Sequence, residues 1–486
     1  MACRNIAITD NDYGYLARPE HYDEMVTAGG TRDHYREVHR WLNATPLESL
    51  LHSRHQAENF FRQEGITFTV YGESAGTERL IPFDIIPRII PNSEWQTIAR
   101  GCEQRVRALN LFLHDIYHEQ RILKAGLVPS EYILGNEHFQ AVMQDLTLPH
   151  GIYAHIAGVD IVRHSDGTYY VLEDNLRTPS GVSYMLENRA MTERLFPDMV
   201  ARHKVLPVSQ YPGFLHTTLM EASGMDAPQA AILTPGKFNS AYFEHAFLAR
   251  EMGVPLVGGG DLVVRDDCVF MKTTEGLKRI DVLYRRLDDA FLDPEVFRSD
   301  SMLGVPGLMR AYRAGNIILA NAVGTGVADD KSVYPFVPDM IRYYLGEEPV
   351  LENVPTWQCR KPADLEHVLA NLPQLVVKEA QGSGGYGMLI GPAATQAELD
   401  SFRDLLKTRP ECYIAQPTLA LSTCPTFVAA GIAPRHIDLR PFVLSGKETR
   451  LVPGGLTRVA LKAGSLVVNS SQGGGTKDTW VLAEDN

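Results

Sequence analysis

The chain has 486 residues, 44% of them hydrophobic and 22% charged, room for about three domains at ordinary globular composition. That excludes a disordered chain and a collagen-like one, and a net charge of −13 argues against a general nucleic-acid binder, which needs a basic surface. Six scattered cysteines, no two in a Cys-x-x-Cys pair, argue against a zinc ribbon or a disulfide framework, and no apolar run approaches the roughly 18–20 residues of a membrane helix. The amino terminus lacks a signal-peptide core, so the expected location is the cytoplasm.

Helical spacing fills residues 31–64 and 93–145. In the second stretch Ile98, Cys102, Val106, Leu109, Leu113 and Ile116 recur three or four apart with charges between them. GITFTVYG, residues 65–72, reads as a short strand. Residues 152–175 change to β-type runs around a tight turn. Residues 228–345 alternate: AAILTPG predicts a strand, SAYFEHAFLAREMG a helix stopped at Gly253, and VPLVGG, DLVVRD and RIDVLYRRL further strands, an α/β pattern. From 372 the order is strand, glycine loop, strand, helix and at least three strands, an α+β portion in which TQAE (395–398) is a capping box. Four regions follow: 1–150, helical with short strands; 151–227; 228–345; and 346–486, with a proline-rich boundary near 348–362.

Asp166-Gly167 between β-rich runs predicts a hairpin. With those two residues as the loop, Asp160 falls directly opposite Glu173, Cβ atoms roughly 4.5–5.5 Å apart, and Asn175 points to the same face. Like charges so placed need a cation. Two carboxylates and an amide oxygen are hard ligands, suited to Mg²⁺ held together with substrate phosphates. The residues alone leave open that Asp160 or Glu173 faces solvent or pairs with Arg163 or Arg177, and a longer turn would change the register.

LVVKEAQGSGGYGMLIG predicts a strand ending in Lys378, the loop Gln381-Gly382-Ser383-Gly384-Gly385-Tyr386-Gly387, and a second strand. Successive glycines free backbone N–H groups for anionic oxygens, and the lysine adds a point charge. The lysine precedes the glycines and no helix starts at the loop, so this is neither a Walker A loop nor a dinucleotide fingerprint. A flexible lid over nucleotide phosphates suits the layout; a loose hairpin with an exposed lysine is the alternative. Further on, Asp438 and Arg440 share a strand face, Arg458 lies on the return, and VVNSSQGGGTKD offers Asn469 and three glycines. Arginine supplies forked donors for phosphate, although either one could equally be a surface ion pair.

Taken in order, Lys378, the 382–387 loop, Gln416 in YIAQPTL, DLR at 438–440, Arg458 and Asn469 with Gly473-Gly474 resemble the ATP-grasp superfamily, except that the acid Asp160 and the Glu-x-Asn of Glu173 and Asn175 come first. The sequence therefore resembles a circularly permuted ATP-grasp protein. TPGKFNSAYFEH, DVLYRRLDD, GVADDK and NSSQGGGTKD are similar to the circularly permuted type 2 family, relatives of the glutathionylspermidine synthases.

That resemblance implies an α/β and α+β fold: a helical 1–150, a permuted metal-binding segment 151–227, a pre-ATP-grasp-like α/β domain 228–345 and a nucleotide-binding portion 346–486. It implies ATP and one or two Mg²⁺ as cofactors. Lys378 and Lys331 would hold phosphates, and Tyr413, Ile414 and Gln416 would line the adenine hinge. Asp160, Glu173 and Asn175 would ligate metal, and Arg440 and Arg458 would stabilise the transferring phosphate. Arg177, Ser180 and Gly181 fall where relatives contact substrate, with Asn239, Ser240, Glu244, Arg285 and Arg286 as further candidates. Arg285-Arg286 would meet an acidic substrate and Asp288-Asp289 an amine, with solvated charges as the alternative. The implied reaction joins a small-molecule or peptide carboxylate to an amine through an acyl phosphate, releasing ADP, with no nucleic-acid or membrane partner. A phosphotransferase, or an ATP-binding assembly module without turnover, is the alternative.

Overall fold

Eight consecutive buried residues, Phe83–Ile90, form a strand that no local partner could cover. It pairs in parallel with Gly475–Val481, near the other end of the chain, in a computed structural model that describes residues 15–70, 77–237, 239–382, 387–429, 431–468 and 473–485. These two strands begin the large sheet, which continues through Leu456–Val459, Gly431–Arg440, Ile156–Arg163, Tyr169–Asn175 and Glu352–Asn353. The pairings between its ends are antiparallel. Early and late chain are thereby interleaved: Leu439 pairs with Ile161, and Phe442, Val443 and Leu444 pair with Gly158, Ala157 and Ile156.

Both sheet faces are covered. The helix Asn92–Tyr117 carries the apolar stripe read from the sequence, and Ile98, Cys102, Val106, Leu109, Leu113 and Ile116 are all buried. It packs on the Phe442–Ser445 hairpin arm and on the helix Val337–Leu345. On the opposite side, Val182–Leu195 packs on Leu456–Val459 and Gly475–Val481. A buried Lys477 inside this sheet bonds to Asp84 and to the carbonyls of Ile86 and Pro425 at 2.8 and 2.7 Å, so its charge is neutralised and all its donors are used.

The α/β pattern of 228–345 becomes a four-stranded parallel sheet, Ile318–Ala320, Val282–Arg285, Ala230–Leu233 and Leu256–Val257. The helix Tyr242–Met252 ends at Gly253, whose φ of +67° is the left-handed stop that glycine allows. RIDVLYRRL splits between the Gly276–Ile280 arm of a three-stranded antiparallel sheet and Val282–Arg285 of the parallel one.

The proline-rich stretch carries the chain from one sheet to another. Glu352–Asn353 borders the large sheet, and Trp357–Gln358 opens a separate antiparallel sheet with Tyr413–Pro417, Leu375–Glu379 and Leu389–Ile390. This small lobe has its own core, including Val368, Leu372, Val377, Leu399 and Leu406. Its helix Gln396–Thr408 starts on the predicted capping box: the Thr395 amide donates to Glu398 at 2.7 Å and the Glu398 amide to Thr395 Oγ1 at 3.3 Å. Among the described residues no helix is long and apolar enough to cross a membrane.

Candidate functional site

The acidic hairpin is built differently from its sequence prediction. Its loop has three residues, Ser165-Asp166-Gly167: the His164 amide donates to Thr168 O and the Gly167 amide to His164 O, each at 2.9 Å. Arg163 therefore faces Tyr169, one step out of the predicted register. A bulge at Leu172 removes the slip, because Ile161 faces Val171 while Asp160 faces Glu173. Asp160 and Glu173 end up opposite each other, as the two-residue loop would have placed them, for a different reason.

The two carboxylates do not share one cation. Asp160 is fully buried, and both its oxygens accept guanidinium hydrogens: from Arg440 through Nε and through Nη2 at 2.7 Å, and from Arg458 Nη2 at 2.6 Å. Burial alone would raise this carboxyl, but the Arg440 and Arg458 guanidiniums hold it below the usual carboxylate range. Asp160, expected to ligate metal, stands with both oxygens on these guanidiniums: the neighbouring strand brings Arg440 onto its face, and Asp438 pairs with Arg458 one strand further on. Arg440 also donates to Ser180 O at 3.1 Å. Glu173 is 27% exposed and has Lys331 Nζ 3.5 Å from its Oε2. Asn175 donates its amide to Gly158 O at 3.2 Å, which fixes the amide beside Glu173. Asp174, between them, points to the other face and holds Arg105 through two bonds of 2.7 Å.

The small lobe presents its lysine to the same place. Lys378 Nζ donates to Gln416 Oε1 at 2.8 Å, and Gln416 donates to Thr356 Oγ1 at 3.0 Å. Burial lowers the Lys378 ammonium to about 8; Glu173 opposes that fall and Lys331 adds to it. Lys331 reaches across from the large lobe: its amide donates to Ala380 O at 3.0 Å and its Nζ to Gly382 O at 2.6 Å. The loop returns through Gly387 at φ +68°. Ser383, Gly384, Gly385 and Tyr386 lie outside the described residues, as does Asn469.

Between the lobes a slot of about 140 Å³ is lined by Val162, Leu172, Val376, Ile390, Leu419 and Leu421 on its apolar walls and by Lys378, Lys331, Glu173 and Arg458 at one end. Gln416 lines it, whereas Tyr413 packs into the small-lobe core beside Phe402, and Ile414 is buried opposite Lys378 on the same sheet face. The side chains missed there were Pro417, Leu419 and Leu421, the next apolar positions after YIAQ. Glu173, Lys331, Gly382 and Arg458 also border a polar cleft of about 380 Å³, so the two cavities meet along one wall.

The cleft takes Arg177, Ser180, Gly181 and Ser240 of the predicted substrate residues. Arg177 Nε donates to Asp329 Oδ2 at 2.7 Å. Asn239 turns inward and accepts from the Ala241 amide at 2.9 Å. Glu244, Arg285 and Arg286 are corrected from substrate contacts to buried supports. Glu244 Oε2 accepts from the Gly181 and Ser183 amides at 2.7 and 3.1 Å, and its Oε1 holds Arg286 at 3.0 Å. Arg286 also donates to Pro179 O at 2.7 Å. Arg285 spends its guanidinium on the carbonyls of Asn321, Leu287 and Ala322 and on Asp289. These charges follow a strand into the interior, where only paired charges are tolerated. Asp288 lines the cleft at its exposed rim, while His138, Tyr184, Asp329 and Asp330 line it unforeseen. The signal for the two aspartates was present in GVADDK, next to Lys331.

Lys331, Lys378, Arg440 and Arg458 set four cations against Asp160, Asp438 and Glu173 around one wall. A half-buried ammonium whose acceptor among the described residues is the neutral Gln416 favours an anionic ligand, so these residues fit a nucleotide's phosphates. Among the described residues no cluster of three or more His, Cys, Asp or Glu side chains is placed to hold a metal ion. Glu173 and Asn175 supply two oxygen donors on one face, a set that suits Mg²⁺ only when the ligand's own phosphate oxygens complete it.

The architecture agrees with comparison to known proteins. The chain belongs to the circularly permuted ATP-grasp type 2 family, whose model matches residues 87–460. It is 51% identical over 465 residues to an uncharacterized protein of Synechocystis sp., covering 95% of this chain and 97% of that one. It is 48% identical over 466 residues to an uncharacterized protein of Mycobacterium tuberculosis, covering 95% and 84%. A Frankia alni protein named "Putative glutamate--cysteine ligase 2-3" is 44% identical over 477 residues, which cover 96% of this chain but only 54% of that protein. Among solved structures, a glutathione synthetase-like effector of Globodera pallida in its apo form superimposes with a TM-score of 0.55 at 11% identity, covering 90% of this chain and 98% of that one, a likeness of fold.

Proposed function

We propose that the protein is an ATP-dependent, ADP-forming ligase that joins a carboxylate to an amine, in the manner of the glutathionylspermidine synthases. One observation carries the reading: the acidic hairpin of the early chain and the lysine-bearing strand of the late chain border a single slot, through Glu173, Lys331 and Lys378. The apolar walls of that slot suit a flat base, and its cationic end suits phosphates. Lys378 and Lys331 hold the phosphates, Glu173 and Asn175 hold Mg²⁺, and Arg440 and Arg458, kept rigid by Asp160 and Asp438, face the group being transferred. Mg²⁺ when bound neutralises charge between the nucleotide's phosphates. The carboxylate attacks the γ-phosphate, and no protein nucleophile is required, because positioning and charge neutralisation dominate such transfers. An amine then displaces phosphate from the acyl phosphate in the polar cleft. That the Frankia relative bears a ligase name supports the reaction class.

The test is ADP release from Mg·ATP across panels of carboxylates and amines. ADP that requires both partners, with an amide recovered, is the expected result. ADP with a carboxylate or alcohol alone and a stable phosphorylated product overturns the proposal in favour of a phosphotransferase. ATP bound without any turnover overturns it in favour of a binding module.

A further inference from the structure

Attack by an amine is helped by a base in the polar cleft, apart from the lysines and arginines that face phosphate. The carboxylates lining the cleft are mostly committed: Glu173 to Lys331, Asp174 to Arg105, Asp329 to Arg177 and the Leu176 amide, and Asp330 to the Ser332 amide at 2.7 Å and Asn136 Nδ2 at 2.7 Å. Asp288 stands at the exposed rim. One imidazole lines the cleft among the described residues, that of His138.

His138 is held and yet chemically unspent. Its amide donates to Asn136 Oδ1 at 2.9 Å, and the same Asn136 binds Asp330, so the backbone is tied to the acidic side of the cleft. Its ring packs beside Arg177 over Gly326; a Cβ there would lie 3.0 Å from His138 Cγ and 2.8 Å from Arg177 Cδ. The Nε2 atom is buried and has no hydrogen-bond partner. Its nearest carboxylate oxygen, Glu137 Oε1, is 3.7 Å away, beyond bonding distance. The charged groups around the ring are Glu137, Arg177 and Asp329. A buried ring nitrogen left unsatisfied at a cleft wall costs free energy unless a ligand completes it.

We infer that His138 is the general base for the amine half of the reaction, a role that rests on the ligase reading. The amine nitrogen bonds to the acyl carbon and its proton passes to the His138 imidazole. The carbon–oxygen bond to phosphate then breaks with its electron pair leaving on phosphate, and His138 returns the proton to solvent. Imidazole is the side chain whose ordinary affinity for protons suits this exchange near neutral pH.

The test uses the full chain with Mg·ATP, a pool of the common amino acids as carboxylates, and either hydroxylamine or 1,4-diaminobutane as nucleophile. Hydroxylamine is unprotonated near neutral pH and traps the acyl phosphate without a base. His138→Gln and His138→Ala are expected to lower the ratio of amide to hydroxamate by about 100-fold. A ratio within threefold of the parent's, with both products formed, overturns the assignment and leaves the ligase reading standing. No ADP and no hydroxamate from the parent overturns both. Should both variants fail to fold, the ring-nitrogen signals of the ¹⁵N-histidine-labelled parent decide. A shift of the His138 signal on adding 1,4-diaminobutane to the ATP-bound protein is expected, and an unmoved signal overturns the assignment.

Discussion

Replacing Asp160 by Asn keeps the side chain's shape and removes one negative charge from a buried group of two arginines and two aspartates. Arg458 keeps Asp438, but Arg440 loses its carboxylate and is left with neutral acceptors, the amide oxygen and the Ser180 carbonyl. Breaking a buried pair from one side costs about 3–5 kcal/mol, because the remaining charge stays buried and unpaired. Glu173→Gln, directly across the strand pair, removes a charge that is 27% exposed and 3.5 Å from Lys331, a partly solvated pair worth about 0–1 kcal/mol. Asp160→Asn should therefore lower the urea midpoint clearly at pH 7, while Glu173→Gln should leave it nearly unchanged and reduce ADP release about 100-fold or more. The stability gap has a defined pH dependence. Arg440 and Arg458 hold the Asp160 carboxyl below its unfolded value, so its contribution is complete above about pH 4 and fades as pH falls below that. The gap between the midpoints of parent and Asp160→Asn should begin to narrow as pH falls below about 4. Equal destabilisation by the two substitutions, or full ADP release from Glu173→Gln, would refute the division between a charge that positions arginines and one that meets the ligand.

The Lys378 ammonium, lowered to about 8 by burial, should lose its proton in the free protein as pH rises past that value. ATP affinity, measured by calorimetry from pH 7 to 9.5, should weaken above about pH 8, and Lys378→Arg should remove that dependence. Because the folded value lies below the unfolded one near 10.4, ligand-free stability should rise between about pH 8 and 10 through this group, and Lys378→Met should abolish the rise. Glu244→Ala strips Arg286 of its carboxylate and the Gly181 and Ser183 amides of their acceptor, so a loss of about 3–5 kcal/mol is expected. Its ADP release should fall even under conditions where circular dichroism shows it folded. Gly181→Ala forces a Cβ to 2.7 Å from Leu456 Cδ2 at φ +114°; it should destabilise the protein, visible as a lower melting midpoint, where Gly213→Ala, in open space, should not.

What could be read beforehand was what lies on one element. The stripe of Asn92–Tyr117, the Thr395 capping box and the alternation of strands and helices in 228–345 depend on periods of two and 3.6 and on local hydrogen bonds, so spacing alone reveals them. The order of the lysine, glycine loop, arginines and displaced acids is likewise a property of the chain, and it indicated the permuted family. The opposition of Asp160 and Glu173 was legible only because two departures, a longer loop and a bulge, cancel.

Partners in space were another matter. A sequence gives a residue's charge but not which charge will meet it across strands 280 positions apart, so the bonds from Arg440 and Arg458 to Asp160 could not be read from it. Nor does it say how deep a side chain lies, and Glu244, Arg285 and Arg286 went from the cleft to the interior behind it. His138 sits in a stretch expected to be helical, but the helix ends at Tyr117 and the chain beyond it is irregular; only the packing over Gly326 brings its ring to the cleft. Local order fixes elements because hydrogen bonds and side-chain period act over a few residues. Burial and ion pairing depend on what the rest of the chain brings alongside, and that is decided when the sheets close.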